Sequence, residues 1–232
     1  QVSVATVDRL MRDEGLNGVI RGKNHRTTIP AKDGKRAGDR LDRNFTAACP
    51  NRVWVADFTY CRTWAGFVYV AFIIDVFSRK IVGWHAMTTR PTELVTVPLR
   101  MALWNRRHEG IEIFEGLIHH SDAGSQYVSL KFSEELMLEG VLASIGSVGD
   151  AYANALAETT IGLFKTEAIR PGNPFHPGPF KTIEDIEFAT MGWVDWFNNR
   201  RLHSTLDYMP PAEYETNYGT DPSLIDRFVF FS

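Results

Sequence analysis

The sequence predicts an α/β protein built on a mixed five-stranded sheet, three antiparallel strands and then two parallel ones, with helices on both faces. Three observations predict it. Three β-rich segments follow one another at positions 53–62, 67–76 and 80–87, separated only by Trp64-Ala65-Gly66 and Phe77-Ser78-Arg79. Two short apolar segments then alternate with amphipathic helical patterns. The chain has 232 residues, 44% of them hydrophobic and 23% charged, which suffices for one sizeable core.

Taken in order, the first three strands predict two consecutive hairpins, because their connections are too short for a crossover. The stretch 67–76 is the longest apolar run and suits a buried strand. Pro91 and Thr92 open a helix to about position 107, with Leu94, Val97, Leu99, Met101, Leu103 and Trp104 as apolar contacts. A short strand at 117–121, a helix at 129–139 and a short strand at 141–145 follow. A long helix is expected over 151–168. Prolines 171, 174, 177 and 179 then break the chain. Positions 182–199 read as a last amphipathic helix carrying Ile183, Ile186, Phe188, Trp193, Val194 and Phe197. The six tryptophans are expected to fill the core.

Charge is unevenly spread. Residues 1–50 carry ten Lys/Arg against six Asp/Glu, and residues 51–232 carry 15 against 22, so +4 is followed by −7. The basic excess lies between Arg21 and Arg43, interrupted by Gly22, Pro30, Gly34 and Gly38. That composition predicts an extended arm and either a polyanionic partner such as nucleic acid or a solvated linker. Before it, Val4, Val7, Leu10 and Met11 recur at helical spacing. The expected organisation is a helical segment at 1–22, a basic arm at 23–49, the main domain at 50–218 and a tail at 219–232. The chain opens at Gln1, without Met or a signal-peptide pattern, and is expected to be a fragment or a processed product. Cys49 and Cys61 are too few for a disulfide framework, so a reducing cytoplasmic compartment is expected. No apolar run reaches about 18 residues, so no membrane partner is expected.

Three carboxylates sit where chemistry needs them. Asp57 interrupts an apolar first strand, where burial is costly unless the charge is paired or bound to metal. Asp122 ends the strand at 117–121, at the carboxyl edge where α/β sheets place ligands. Glu158 shares a helical stripe with Asn154, Gly162 and Lys165, while Ala153, Leu156, Thr160, Leu163 and Phe164 fall opposite. Oxygen donors without a Cys or His cluster favour Mg²⁺ or Mn²⁺, and two such ions could clamp an in-line phosphoryl displacement. Each residue also has an ordinary reading. A strand-end Asp caps turns, a helical Glu faces water, and Asp75 is a second Asp within a strand; spacing alone leaves both readings open. His119 and His120 point to opposite sides of their strand, and His120 can orient Asp122. Asn154 either holds the helix or touches DNA. Arg200, Arg201 and His203 form a basic cluster that suits either DNA or a solvated helix end.

Five strings in order carry a resemblance. Trp54-Val55-Ala56-Asp57-Phe58-Thr59-Tyr60 resembles the W-x-x-D-x-T-Y opening of the integrase core in insertion-sequence transposases. Asp75 to Trp84 is similar to that family's D-x-x-S-R-x-I-V-G-W hairpin. His120 to Tyr127 resembles H-S-D-x-G-S-Q-Y, and Asp150 to Glu158 resembles D-x-x-x-N-A-x-x-E. Trp196 to Leu206 with Pro210-Pro211 is similar to the C-terminal Y-N-x-x-R-x-H-x-x-L-x-Y-x-x-P. Between Asp122 and Glu158 lie 35 residues, the D,D-35-E spacing of retroviral integrases and related transposases. The chain thus resembles the B-frame protein of IS-three-type insertion sequences over about residues 1–218. The resemblance implies an RNase-H-like fold and metal-dependent cleavage and strand transfer at transposon ends. It implies Asp57, Asp122 and Glu158 as catalytic metal ligands for Mg²⁺ or Mn²⁺, two ions in all. It implies Lys165 as a DNA contact, with Asn154, Arg200 and Arg201 as further DNA-binding candidates, and a homo-oligomer assembled on DNA. The family's upstream helix–turn–helix is represented only by residues 2–22. Ile145-Gly146-Ser147-Val148-Gly149 lacks the Arg of the family's S-x-S-R-x-G. Two other readings are a nuclease that hydrolyses without joining and a DNA-binding relic without catalysis.

Overall fold

The computed structural model describes residues 3–14, 38–41, 46–110, 116–146 and 154–220. Most of the basic arm, the Ser147-Val148-Gly149 departure, the start of the expected helix at 151 and the residues after 220 lie outside these. The elements are α1 (Val4–Asp13), β1 (Val53–Thr63), β2 (Gly66–Asp75), β3 (Ile81–Met87) and α2 (Glu93–His108). There follow β4 (Ile118–Ser121), α3 (Leu130–Leu138), β5 (Leu142–Ile145), α4 (Ala155–Phe164), α5 (Ile183–Asn199) and α6 (Pro211–Thr220). Ser3 caps α1 by accepting from the Thr6 amide, and Ser129 caps α3 by accepting from Phe132. At α5, Asp185 accepts from the Lys181 and Thr182 amides, which otherwise have no helical partner.

The sheet runs β3-β2-β1-β4-β5, with the first three strands antiparallel and β1, β4 and β5 parallel. This is the predicted mixed sheet. Side chains of β1 alternate between two cores. Val53 and Val55 join Phe72, Ile74, Phe164, Trp193 and Phe197 under α4 and α5. Trp54 and Ala56 join Leu99, Leu103, Phe132 and Leu136 under α2 and α3. A strand buried on both faces explains why β1 and β2 read as continuous apolar runs. β4 is only four residues long and pairs with Val53–Ala56, so β1 continues past it from Asp57 to Thr63.

Gly83 of β3 lets α2 approach the sheet. A Cβ there would lie 2.1 Å from the Pro98 carbonyl oxygen, which is backbone and cannot swing away. Gly83→Ala is therefore expected to destabilise by at least about 2 kcal/mol, read as a shift in urea midpoint. A midpoint equal to that of the unsubstituted chain would refute the tight α2–β3 contact.

Three expectations need correction. Only Trp54 and Trp193 are fully buried; Trp64 and Trp104 are 73% and 57% exposed. The buried stripe of α4 is Ala157, Thr160, Ile161 and Phe164, with Leu156 and Leu163 half-buried, because the core lies about one position round from the expected face. The helix also does not stay α-helical to position 168: Lys165–Ile169 form a π-helical turn. One element had no sequence expectation. α6 begins with Pro211, whose fixed φ suits a first helical position, and its Tyr214 and Tyr218 rings pack on Phe77 at 5.2 and 4.8 Å.

Candidate active site

Sheet register brings the first two carboxylates together. Ala56 pairs with Ser121 across the parallel β1–β4 ladder, so Asp57 and Asp122 are the next residues along neighbouring strands. By strand alternation, Asp57 shares a face with Val53 and Val55, the face covered by α4. Asn154, just before α4, is buried and donates from Nδ2 to the Ala56 carbonyl at 2.9 Å. That bond docks the start of α4 against β1 next to Asp57. One helical turn later comes Glu158, whose own side is exposed to solvent.

Local geometry holds each aspartate. Asp57 Oδ1 accepts from the Phe58 amide at 2.7 Å. Asp122 Oδ1 accepts from the Gly124 amide at 3.1 Å. A Cβ on Gly124 would stand 3.0 Å from that same oxygen, so any other residue there would press on the Asp122 carboxylate. Tyr127, buried between Phe58, His119 and Phe132, is pushed well above its usual range by burial and by Asp57 and Asp122.

Burial and neighbouring acids disfavour ionisation at this site. Asp57 is raised to about 8, first by burial, then by Asp122 and Glu158, with the Phe58 amide and Lys165 pulling back. Burial raises Asp122, offset by the Gly124 amide and His120. Burial and Asp122 raise Glu158. Such a set is short of positive charge, and its donors are all hard oxygens, which fits Mg²⁺ or Mn²⁺. Among the described residues, no three His, Cys, Asp or Glu side chains form a ready-made metal cage. Charge links the three acids, with Asp122 and Glu158 acting on Asp57 and Asp122 acting on Glu158, which makes them the candidate donors for a divalent cation.

The other candidates divide. Lys165 is half-buried at the start of the π turn, with Nζ 4.9 Å from the Tyr60 ring centroid and close enough to Asp57 to lower its pKa. Arg200 is exposed and pairs with Asp195 at 2.9 Å. Arg201 is turned inward: Nη2 donates to Glu167 Oε1 at 2.8 Å, and its guanidinium lies over the Trp196 and Phe197 rings. It ties α5 to the π turn, where Glu167 also accepts from the Trp193 indole at 2.9 Å. Asn154 serves the docking of α4. His120 bonds Ser144 at 2.9 Å and acts on Asp122 through its charge, while burial holds His119 down at about 3 among aromatic rings. Sequence reasoning did not single out Tyr127 or Tyr60, although both close motif strings that carry an aspartate.

A five-stranded mixed sheet with two acids on adjacent parallel strands and a third on the crossing helix defines the DDE-type transposases and integrases, a class of polynucleotidyl transferases. Models of the integrase core domain match residues 47–151 and 139–211. The chain is 48% identical over 218 residues to the putative transposase for insertion sequence element IS986/IS6110 of Mycobacterium tuberculosis, covering 94% of this chain and 77% of that protein. It is 50% identical to the transposase for IS629 of Shigella sonnei, covering 94% and 69%. Transposase InsF for IS3A of Escherichia coli is 29% identical, covering 92% and 70%. This chain belongs to the IS-three-type insertion-sequence transposases with an integrase core. In fold it is similar to a chain of the simian T-cell lymphotropic virus intasome, with a TM-score of 0.59 and 16% identity, over 84% of this chain and 63% of that one. It is also similar to the HTLV-2 integrase catalytic core domain in complex with magnesium, with a TM-score of 0.50 and 16% identity, over 72% and 97%. Among the described residues, no helix is long and apolar enough to cross a membrane.

Proposed function

We propose that this chain cuts DNA at the ends of an insertion sequence and joins those ends to a target, using divalent metal held by Asp57, Asp122 and Glu158. The observation that supports the reading is the register that puts Asp57 and Asp122 side by side at the ends of paired parallel segments, with the charge of Asp122 and of Glu158 of α4 felt at Asp57 and that of Asp122 felt at Glu158. When bound there, two Mg²⁺ or Mn²⁺ ions would stabilise charge on the attacking and leaving oxygens. The protein's own part is positional. The Gly124 amide fixes Asp122, the Phe58 amide fixes Asp57, and Asn154 fixes the approach of α4. Lys165 offers a cation at the edge of the site for a DNA phosphate.

In the first step water displaces the 3′ oxygen of a phosphodiester and leaves a free 3′-hydroxyl. In the second, that hydroxyl attacks a target phosphodiester, forms the new P–O bond and releases the target's own 3′-hydroxyl. DNA is the substrate and partner, and a homo-oligomer on the DNA would hold two ends at once. The relatives are bacterial and the proposed substrate is DNA, so the reading assigns this work to the cytoplasm. Because the main domain is net acidic, DNA affinity should reside in local cationic positions and fall steeply with salt.

The test uses labelled duplexes carrying the element's ends, incubated with the chain and Mg²⁺ or Mn²⁺. Strand-transfer products that vanish with a chelator are expected. Cleavage without any joined product would replace the reading with a hydrolytic nuclease. DNA binding with neither product would replace it with a catalytically silent relic.

A further inference from the structure

Next to the carboxylates, the free corner of the sheet carries side chains that the proposed chemistry does not use. On the part of β1 that outruns β4, Tyr60 is 42% exposed, and Phe67 on β2 is 51% exposed. Their rings meet edge to face, with centroids 5.4 Å apart and planes at 86°. Neither ring belongs to the two buried cores, so burial on folding does not account for the pair.

Cations border it. Lys165 Nζ lies 4.9 Å from the Tyr60 centroid. Arg62 is exposed and is the register partner of Phe67. Tyr69 is the register partner of Tyr60 and carries Arg90 at 5.1 Å from its ring. Lys165 directly follows α4, the helix that carries Glu158, so it joins the patch to the edge of the candidate active site. Residues 51–232 carry a net −7, so cations gathered around exposed aromatic rings offer a polyanion a local foothold there. Aromatic faces with interleaved cations match one chemistry, the stacked base and flanking phosphates of single-stranded nucleic acid. Inside a duplex the base faces already stack on each other, so only an unpaired nucleotide can offer one.

We propose that Tyr60 and Phe67 form a stacking platform for an unpaired base of the strand entering the active site, with Lys165 and Arg62 holding its phosphates. The inference rests on the reading of this chain as a DNA-processing enzyme and adds a substrate preference to it: DNA ends that are frayed or forked over ends that are fully paired.

The experiment measures binding in EDTA, where no cutting occurs, with 2-aminopurine placed in an unpaired 3′ end and, separately, in a matched paired end. The unaltered chain is expected to quench the unpaired probe and to bind the forked DNA more tightly. Tyr60→Ala and Phe67→Ala should each weaken forked binding about tenfold while changing paired binding less than about twofold. Tyr60→Trp, which keeps a stacking face, should retain the preference, and thermal melting checks that every variant is folded. The platform is overturned if the alanine variants bind forked DNA as the unaltered chain does, or if they lose both DNAs equally. It is also overturned if the unaltered chain shows no quenching or no preference for the fork. Strand transfer assayed on the same preparations keeps the two readings apart, since chemistry can fail while stacking persists, and the reverse.

Discussion

Glu158→Gln and Asp57→Asn are each expected to lower strand transfer by about 10³-fold or more while leaving the chain folded. Both substitutions keep side-chain volume and remove a charge that the reaction would use. Their effects on stability should differ from those of ordinary core changes, and pH reveals why. Asp57 stands at about 8 in the folded chain against an ordinary 3.8, because burial and Asp122 disfavour its ionised form. The folded state therefore binds more protons than the unfolded state between those values. The contribution of Asp57 to stability falls as pH rises through that window. Asn cannot titrate, so in EDTA the Asp57→Asn chain should gain in Tm relative to the unsubstituted chain from about pH 5 to about pH 8. A Tm difference that stays flat across that range would mean the carboxylates are not crowded as described. Retained strand transfer in Glu158→Gln would remove Glu158 from the proposed metal set.

Arg106→Met is expected to cost about 3–5 kcal/mol of stability, read by urea unfolding. Arg106 is wholly buried on α2. Its Nη1 donates to Glu215 Oε2 at 2.7 Å and to Glu109 Oε2 at 3.1 Å. Its Nη2 donates to Glu215 Oε1 at 2.6 Å and lies 3.4 Å from Asp75 Oδ2. Burial pushes the Glu215 carboxyl up, but the Arg106 fork, Lys80 and the Ser78 hydroxyl together hold it below its ordinary value. Its stabilising contribution is therefore present above about 4.5 and is lost as pH falls through its lower folded value. Asp75 accepts from the Asn51 amide at 2.7 Å and the Phe77 amide at 2.8 Å, so it also shapes the β2–β3 turn. Removing the guanidinium strands two carboxylates out of water. Combining Arg106→Met with Glu215→Leu should recover part of the loss, since a buried charge is costly chiefly when its partner is missing. A single-variant loss below about 1 kcal/mol would show that the cluster is hydrated.

This cluster marks the limit of what could be read along the chain. Arg106 and Glu215 are 109 positions apart, and neither stands in a local pattern that distinguishes it from a surface charge. Asp75 reads in the sequence as a second strand Asp that opens a family hairpin string, and in the fold it is the partner of both a buried arginine and a turn. The same holds for Arg201. In the sequence it joins a basic cluster suited to DNA, whereas in the fold it is committed to Glu167 and two aromatic rings.

What the sequence determined by itself was local in origin. Strand and helix order followed from the period of apolar residues and from Gly and Pro punctuation, because those signals act within a few residues. Asp57, Asp122 and Glu158 could be picked out as candidates because each sits inside a short string with a fixed spacing to the next. The tertiary structure decided how these strings meet. Parallel pairing of β1 with β4 sets the two aspartates side by side, and Asn154 bonding the Ala56 carbonyl docks the start of α4, the helix of Glu158, against β1. It also decided that α6 locks onto the β2–β3 turn and that four of the six tryptophans escape full burial. The physical reason is that burial and charge pairing depend on which surfaces come together. Residues far apart in the chain settle that jointly, and no window of sequence contains it.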